Sequence, residues 1–144
     1  METTPDLQPR VDSLLAKRKG TIDHLLGVEF QILKKDCVQA RMPVTKKSQQ
    51  PFGLLHGGVS VVLAESLASV GGWLNVKDES TAVVGIEINA NHIRAVRDGT
   101  ITGRATPLHV GLKTQVWQIE IRDDENKLVC ASRCTLAVVP GKSK

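Results

Sequence analysis

Aromatic residues are scarce: Phe30, Phe52, Trp73 and Trp117 are the whole set, 3 % of 144 residues, and tyrosine is missing altogether. Proteins that grip single-stranded nucleic acid lay bases on exposed rings, so that class is nearly excluded and no nucleic-acid partner is expected. Cysteine is nearly as thin, at three residues. An odd count forbids a complete set of internal disulfides, and no CxxC is present to build a zinc knuckle or a thioredoxin-like redox site. Cys130 and Cys134 fall on one expected strand, where a rise of about 3.3 Å per residue sets their Cα atoms roughly 13 Å apart, beyond disulfide reach. The four histidines and three cysteines show no metal-ligand spacing, so no metal is expected. A reducing, cytoplasmic setting suits such thiols.

Long apolar runs are missing too. No stretch of about eighteen apolar residues offers a membrane span. Arg10, Asp12 and Lys17 interrupt the only early apolar segment, so neither membrane insertion nor a signal peptide is expected. GxxxxGK(S/T) and GxGxxG are both absent, which argues against nucleotide hydrolysis and dinucleotide redox chemistry. What is present is ordinary: 41 % hydrophobic and 24 % charged residues, enough for one domain with a packed core. The net charge of +4 and isoelectric point near 9.1 permit an anionic partner without naming one.

The apolar pattern divides the chain. Residues 1–27 read as a helical preface, with Val11, Leu14 and Leu15, then Ile22, Leu25 and Leu26, at helical spacing and Gly20 and Gly27 as breaks. Residues 28–35 and 37–44 alternate as two strands of a hairpin around Lys35 and Asp36. After a loop at 45–55, residues 57–75 contain one charge, Glu65, among apolar and small side chains on nearly every face. Such a helix is expected to be buried on all sides, spanning roughly 27 Å at a rise of about 1.5 Å per residue. Period two then takes over at 82–90, 99–106, 112–122 and 127–139, with a polar turn at Asp123–Asn126. Strands following one buried helix predict an α+β fold, a long antiparallel sheet wrapped around that helix.

Glu65 is the chemically informative residue. A buried carboxylate without a partner is costly, so it either faces solvent, pairs with an arginine from a strand, or serves as a catalytic carboxylate in dry surroundings. Gly57 lies eight residues earlier, slightly more than two turns, which places both near one side of the helix. Gly57 and Gly58 stand at the helix N-terminus, where free backbone N–H groups and the helix dipole favour an anion. That is the arrangement an oxyanion hole needs. Ser69, one turn beyond Glu65, can hold the carboxylate or a water. Gln50 and His56 come from the preceding loop, within reach of the same helix end; a lone histidine there is equally a helix cap. Val70 can border a bound group or simply fill core.

The combination Gln50-Pro-Phe-Gly-Leu-Leu-His56-Gly-Gly-Val with Leu63-Ala-Glu65-Ser resembles the hotdog-fold acyl-CoA thioesterases of the 4-hydroxybenzoyl-CoA thioesterase superfamily. Within them it is most similar to the 1,4-dihydroxy-2-naphthoyl-CoA thioesterases of menaquinone synthesis and to enterobactin-pathway proofreading thioesterases. The likeness extends through Gly85-Ile-Glu-Ile-Asn-Ala-Asn-His92-Ile-Arg94, Pro107-Leu-His109-Val-Gly111 and Gln115-Val-Trp-Gln-Ile-Glu. It covers about residues 24–139, leaving an N-terminal helical extension at 1–23 and a basic tail at 140–144.

The resemblance implies a hotdog fold paired into a dimer of dimers, with sites at the dimer interface. It implies that Glu65 acts as nucleophile or general base, that Gly57 N–H polarises the thioester carbonyl, that Gln50 and His56 position the acyl and thiol ends, and that Ser69 orients water. Coenzyme A belongs to the substrate and no separate cofactor is implied. Gly85, His92, Arg94 and Ala95, then His109, Val110, Gly111, Leu112, Lys113 and Thr114, are the implied substrate-binding positions, and arginine recognises phosphate bidentately. Three functions follow: an aromatic acyl-CoA thioesterase, either the naphthoyl enzyme or a proofreading or housekeeping one acting on benzoyl or phenylacetyl thioesters of CoA or a carrier protein; a hydratase or dehydratase of the same fold; and a non-catalytic acyl-CoA binder. The hydratases usually set an Asp–His pair across the site, where this helix offers Glu65 and Ser69.

Overall fold

A computed structural model of the chain describes residues 1–78 and 80–141; of the expected basic tail, Lys142 and Lys144 lie outside the described residues. In chain order the elements are β1 (Glu2–Thr3), α1 (Gln8–Lys17), α2 (Ile22–Leu25), β2 (Glu29–Leu33), β3 (Val38–Pro43), α3 (Gly57–Asn75), β4 (Thr81–His92), β5 (Thr100–Val110), β6 (Thr114–Arg122) and β7 (Leu128–Pro140). The seven strands form one sheet in the order β1-β2-β3-β5-β6-β7-β4, antiparallel except for β1 against β2. This is the hotdog design: a curved sheet with α3 along its inner face.

Alternation explains the sheet. On β6, Gln115, Trp117, Ile119 and Ile121 turn inward and are buried, while Gln118 stands exposed on the outer face. Lys34 and Cys37 exchange backbone hydrogen bonds across Lys35 and Asp36, closing the first hairpin where the sequence places it. The last hairpin turns at Asp123, whose carboxylate accepts from the N–H groups of Glu125 and Lys127. Two strands run longer than expected, β4 to His92, which still pairs with Cys130, and β5 to Val110, where a register shift at Pro107/His109 interrupts the alternation without ending the pairing. β1 escapes the sequence reading entirely, since two residues carry no period.

α3 occupies the expected span, but the expectation of burial on all sides is corrected. One face, including Leu63, Ala64, Leu67, Ala68 and Leu74, is buried against the sheet, whereas Val59, Val62, Glu65, Ser66, Ser69 and Trp73 are half-buried. The reason is that a single sheet covers only one side of a helix. Length and composition alone would suit α3 to a membrane, yet half of it is buried inside the fold, as in a core helix. Close approach is secured at Gly71, where an added Cβ would come 2.6 Å from the Trp117 ring. Beside it the buried Gln115 is satisfied, donating to Gly72 O at 3.3 Å and accepting from Trp117 Nε1 at 3.1 Å.

The first 23 residues pack onto this body. β1 covers the outer edge of β2, and Leu7, the N-cap of α1, and Val11 within it are buried in the common core. Of the second apolar trio only Leu26 is buried; Ile22 and Leu25 are more than half exposed. At the other end of the sheet no strand among the described residues covers β4, where Val84 and Ile86 are exposed at 48 % and 60 %.

Candidate active site

The loop before α3 is built to hold the helix end. Ser48 is buried: its Oγ accepts from Thr45 N–H at 2.9 Å, and its carbonyl accepts from His56 N–H at 2.8 Å. Leu55 N–H donates to Val96 O at 2.7 Å and Gln49 Nε2 to Arg97 O at 2.6 Å, tying this loop to the segment after β4. His56 is the N-cap of α3, with Nδ1 accepting from Gly58 N–H at 2.8 Å. The cap and a binding role are therefore compatible, because an accepting Nδ1 leaves Nε2–H as the donor of the neutral ring. Among the described residues Gly57 N–H donates to no group. His92 lies against it, so that an added Cβ on Gly57 would come 2.8 Å from Nε2. Gln50 Oε1 accepts from Phe52 N–H, which fixes the amide and frees its NH₂ to donate outward.

These groups line one cleft of about 310 Å³: Gln50, Gly57, His92, Arg94 and Ala95 are gathered there, with Leu54, Leu55, Ser60, Ile93 and Val129. Sequence reasoning missed Ser60, although it follows Gly57 by three residues and faces the same way. His56, the cap beside Gly57, is not among the residues that line this cleft.

Glu65 is elsewhere. It lies half-buried on the open face of α3 and takes part in none of the ion pairs among the described residues, which removes the arginine-pair alternative. Its Oε1 sits 2.5 Å from where a Cβ on Gly85 would be, so glycine on β4 makes the room the carboxylate uses. A second cleft, about 430 Å³, joins Glu65 with Ser69, Val70, Val62, Ser66, Ile22 and Asp23. Ser66 Oγ donates to Asp23 Oδ1 at 2.8 Å, a contact across 43 positions that spacing could not reveal. Below the carboxylate, burial first and then the charges of Glu65 and Glu87 push the Cys134 thiol up to about 11, so this cysteine is inert at neutral pH.

Gly57 and Glu65 therefore do not share a cleft. Eight helical residues are about 12 Å of rise, too far for one carbonyl to touch the free N–H and the carboxylate of one chain. Eight residues bring two side chains back to one side of a helix but leave them two turns apart along its axis.

The turn at His109–Thr114 forms a third region. Gly111 N–H donates to Thr114 O at 2.9 Å, and His109, Val110, Leu112, Lys113 and Thr114 are exposed. Val110, Gly111 and Leu112 line a cavity of about 420 Å³ with Asn75, Val76 and Lys77, at the C-terminal end of α3. The structure thus does not bring this turn to Arg94, which stands at the other end of the helix. Among the described residues no three His, Cys, Asp or Glu side chains converge on a metal position.

Comparison with known proteins places this architecture. Residues 52–130 match the thioesterase superfamily. The chain is 48 % identical over 129 residues to the 1,4-dihydroxy-2-naphthoyl-CoA hydrolase of Escherichia coli, covering 90 % of this chain and 94 % of that one. It is 44 % identical over 129 residues to a proofreading thioesterase of Cronobacter turicensis, covering 90 % and 93 %. A crystal structure of a thioesterase from Haemophilus influenzae superposes with a TM-score of 0.84 at 48 % identity, covering 90 % of each chain.

Proposed function

The chain belongs to the thioesterase superfamily and is an acyl-CoA thioester hydrolase, and from that premise we propose that it cleaves an aromatic acyl-CoA, foremost 1,4-dihydroxy-2-naphthoyl-CoA in menaquinone synthesis. The observation that carries the chemistry is a carboxylate with no ion pair among the described residues, Glu65, set in an otherwise uncharged helix beside a cleft lined by Val62, Val70 and Ile22. The 48 % identity to a dihydroxynaphthoyl-CoA hydrolase supports the acyl group. The 44 % identity to a proofreading thioesterase favours a second reading, release of wrongly loaded aryl groups from CoA or a carrier protein.

In the proposed mechanism Gly57 N–H donates to the thioester oxygen, which gathers charge as the carbonyl is attacked. Gln50 NH₂ and His56 Nε2–H flank that position. Glu65 acts on the carbonyl carbon, either by taking a proton from an attacking water that Ser69 orients, or as nucleophile, forming an acyl–Glu65 anhydride that water then hydrolyses to restore the carboxylate. The thiolate of CoA leaves, and His92, Arg94 and Ala95 border its path.

The rise of about 12 Å between the oxyanion donor and the carboxylate supports a site made from two copies, Gly57 of one and Glu65 of the other. The uncovered β4 edge, with Val84 and Ile86 exposed, and the half-buried apolar face of α3 supply surfaces for such pairing. The turn at His109–Thr114 reaches the nucleotide from a further copy, in a dimer of dimers. A cytoplasmic location belongs to the same proposal and is supported by three free, buried thiols.

Thiol release measured across dihydroxynaphthoyl-, benzoyl-, phenylacetyl- and aliphatic-CoA, with aryl carrier protein included, tests the reading. The highest kcat/KM is expected for the naphthoyl thioester. A preference for the carrier protein would establish the proofreading role instead, and uniform turnover would end the aromatic assignment.

A further inference from the structure

The Glu65 cleft does not stop at the turn that carries Ser69. Ser69 and Val70 also line an adjoining cavity of about 500 Å³, whose further walls include Leu14, Trp73, Ala82 and Val83. We propose that this extension is a distal acyl subsite and that α1, through Leu14, sets its depth. Leu14 is then a specificity-determining residue for the part of the acyl group farthest from the thioester. The inference rests on the reading of the Glu65 cleft as the acyl site.

The charged groups of the groove, Glu65 and Asp23, stand at the near end with Ser66, Val62 and Ile22; Leu14, Trp73, Thr81, Ala82 and Val83 stand at the far end, and Ser69 and Val70 line both. Apolar walls with a few polar groups at the reacting end are how small-molecule sites are generally built. Reach agrees with this. From Glu65, Ser69 is about 6 Å along the helix axis and Trp73 about 12 Å. An acyl group with its carbonyl at Glu65 passes Val70 first. Only a second fused ring or an extended chain arrives at Leu14.

The wall is also held in place. Arg10, one turn before Leu14, donates from Nη1 to Trp73 O at 2.8 Å and to Val76 O at 2.9 Å, and its guanidinium lies over the Trp73 ring at 5.6 Å from the centroid. Trp73 O belongs to the last turn of α3 and Val76 is its C-cap, where helical partners run out and a cation is favoured. Leu7 and Val11 fasten the same helix into the core. Leu14 is thereby fixed over α3 instead of swinging with a loose terminus.

The test compares kcat/KM for a naphthoyl-CoA and benzoyl-CoA in the full chain, in Leu14→Trp, in Leu14→Ala and in Leu15→Ala. Leu15 packs against the core from the same helix and does not line the cavity. Leu14→Trp should lower the naphthoyl-to-benzoyl ratio by about 10-fold, the scale of one or two methylenes in a pocket. Leu14→Ala should move preference toward bulkier acyl groups, and it carries the test should the tryptophan variant not fold. Leu15→Ala should lower the melting temperature and leave the ratio alone. An unchanged ratio in the Leu14 variants overturns the proposal. A Leu14→Trp protein that changes only its sedimentation assigns the cavity to a second copy of the chain, which also overturns it. Should the parent protein cleave aliphatic but neither aroyl thioester, the aromatic reading fails and this inference with it.

Discussion

At the N-terminal end of α3 the protein has already directed almost every polar group. Ser48 holds the loop, His56 caps the helix, and Gln50 has spent its oxygen on Phe52 N–H, which leaves Gly57 N–H and the Gln50 NH₂ as outward donors. Around Glu65, two turns later, the carboxylate has no ion-pair partner among the described residues, and its neighbours are valines, serines, Ile22, Asp23 and a glycine gap. The first region offers fixed donors without a base. The second offers a base without fixed donors. The comparison teaches that each region holds what the other lacks, which is the ground for the proposal that the two meet across two copies of the chain.

The largest effect should come from the carboxylate half. Glu65→Gln keeps shape and removes charge, and kcat should fall by about 10³-fold, in the range reported for acid–base and nucleophilic groups. Thermal denaturation should show stability kept or improved, because a charge without a partner is gone. Near-normal turnover in steady-state assays would dissolve the contrast between the two clefts.

A smaller effect is expected at Val70, which lines both the Glu65 cleft and its extension. Valine is compact and stiff at χ1. Val70→Met should shift the naphthoyl-to-benzoyl ratio of kcat/KM downward by about 10-fold, since that is the scale of added methylenes in a pocket. A residue that only fills core would lower the melting temperature and leave the ratio unchanged.

The smallest effect concerns the thiol beneath Glu65. Burial, then Glu65 and Glu87, raise Cys134 from 9.0 to about 11. The folded thiol stays protonated where the unfolded one ionises. Above pH 9 the unfolded chain binds fewer protons than the native one, so this group's contribution to stability is lost as pH rises from 9 toward 11. Chemical denaturation across that window should show a decline that Cys134→Ala reduces. Glu65→Gln should lower the native thiol's titration point, read by its ultraviolet thiolate absorbance, and an unmoved titration would place Glu65 away from β7.

Period and composition made the sheet and α3 readable. Gly57 opens and Asn75 closes α3 as expected, because a long apolar run with glycines at its start has few alternatives. Three features were hidden for physical reasons. β1 depends on a pairing partner 30 residues away, and a two-residue strand has no pattern. The bulge in β5 breaks the alternation that locates its end. The half-open face of α3 is invisible because hydrophobicity says that a side chain avoids water, not which chain covers it. The candidate site divides the same way. Residue types named Glu65, Gly57 and Gln50, but the approach of Leu14 and Asp23 to α3 is made by the fold alone.

Complementation between two inactive variants tests the two-copy site most directly. Glu65→Gln and Gln50→Ala are prepared separately, unfolded together in equal amounts, refolded and assayed. In a mixed dimer with twofold symmetry one site inherits both lesions and the other inherits neither, so about a quarter of wild-type activity should return once random pairing is counted. Each parent refolded alone should stay inactive. Activity that remains at the average of the two parents would place carboxylate and donors in one chain and contradict the account.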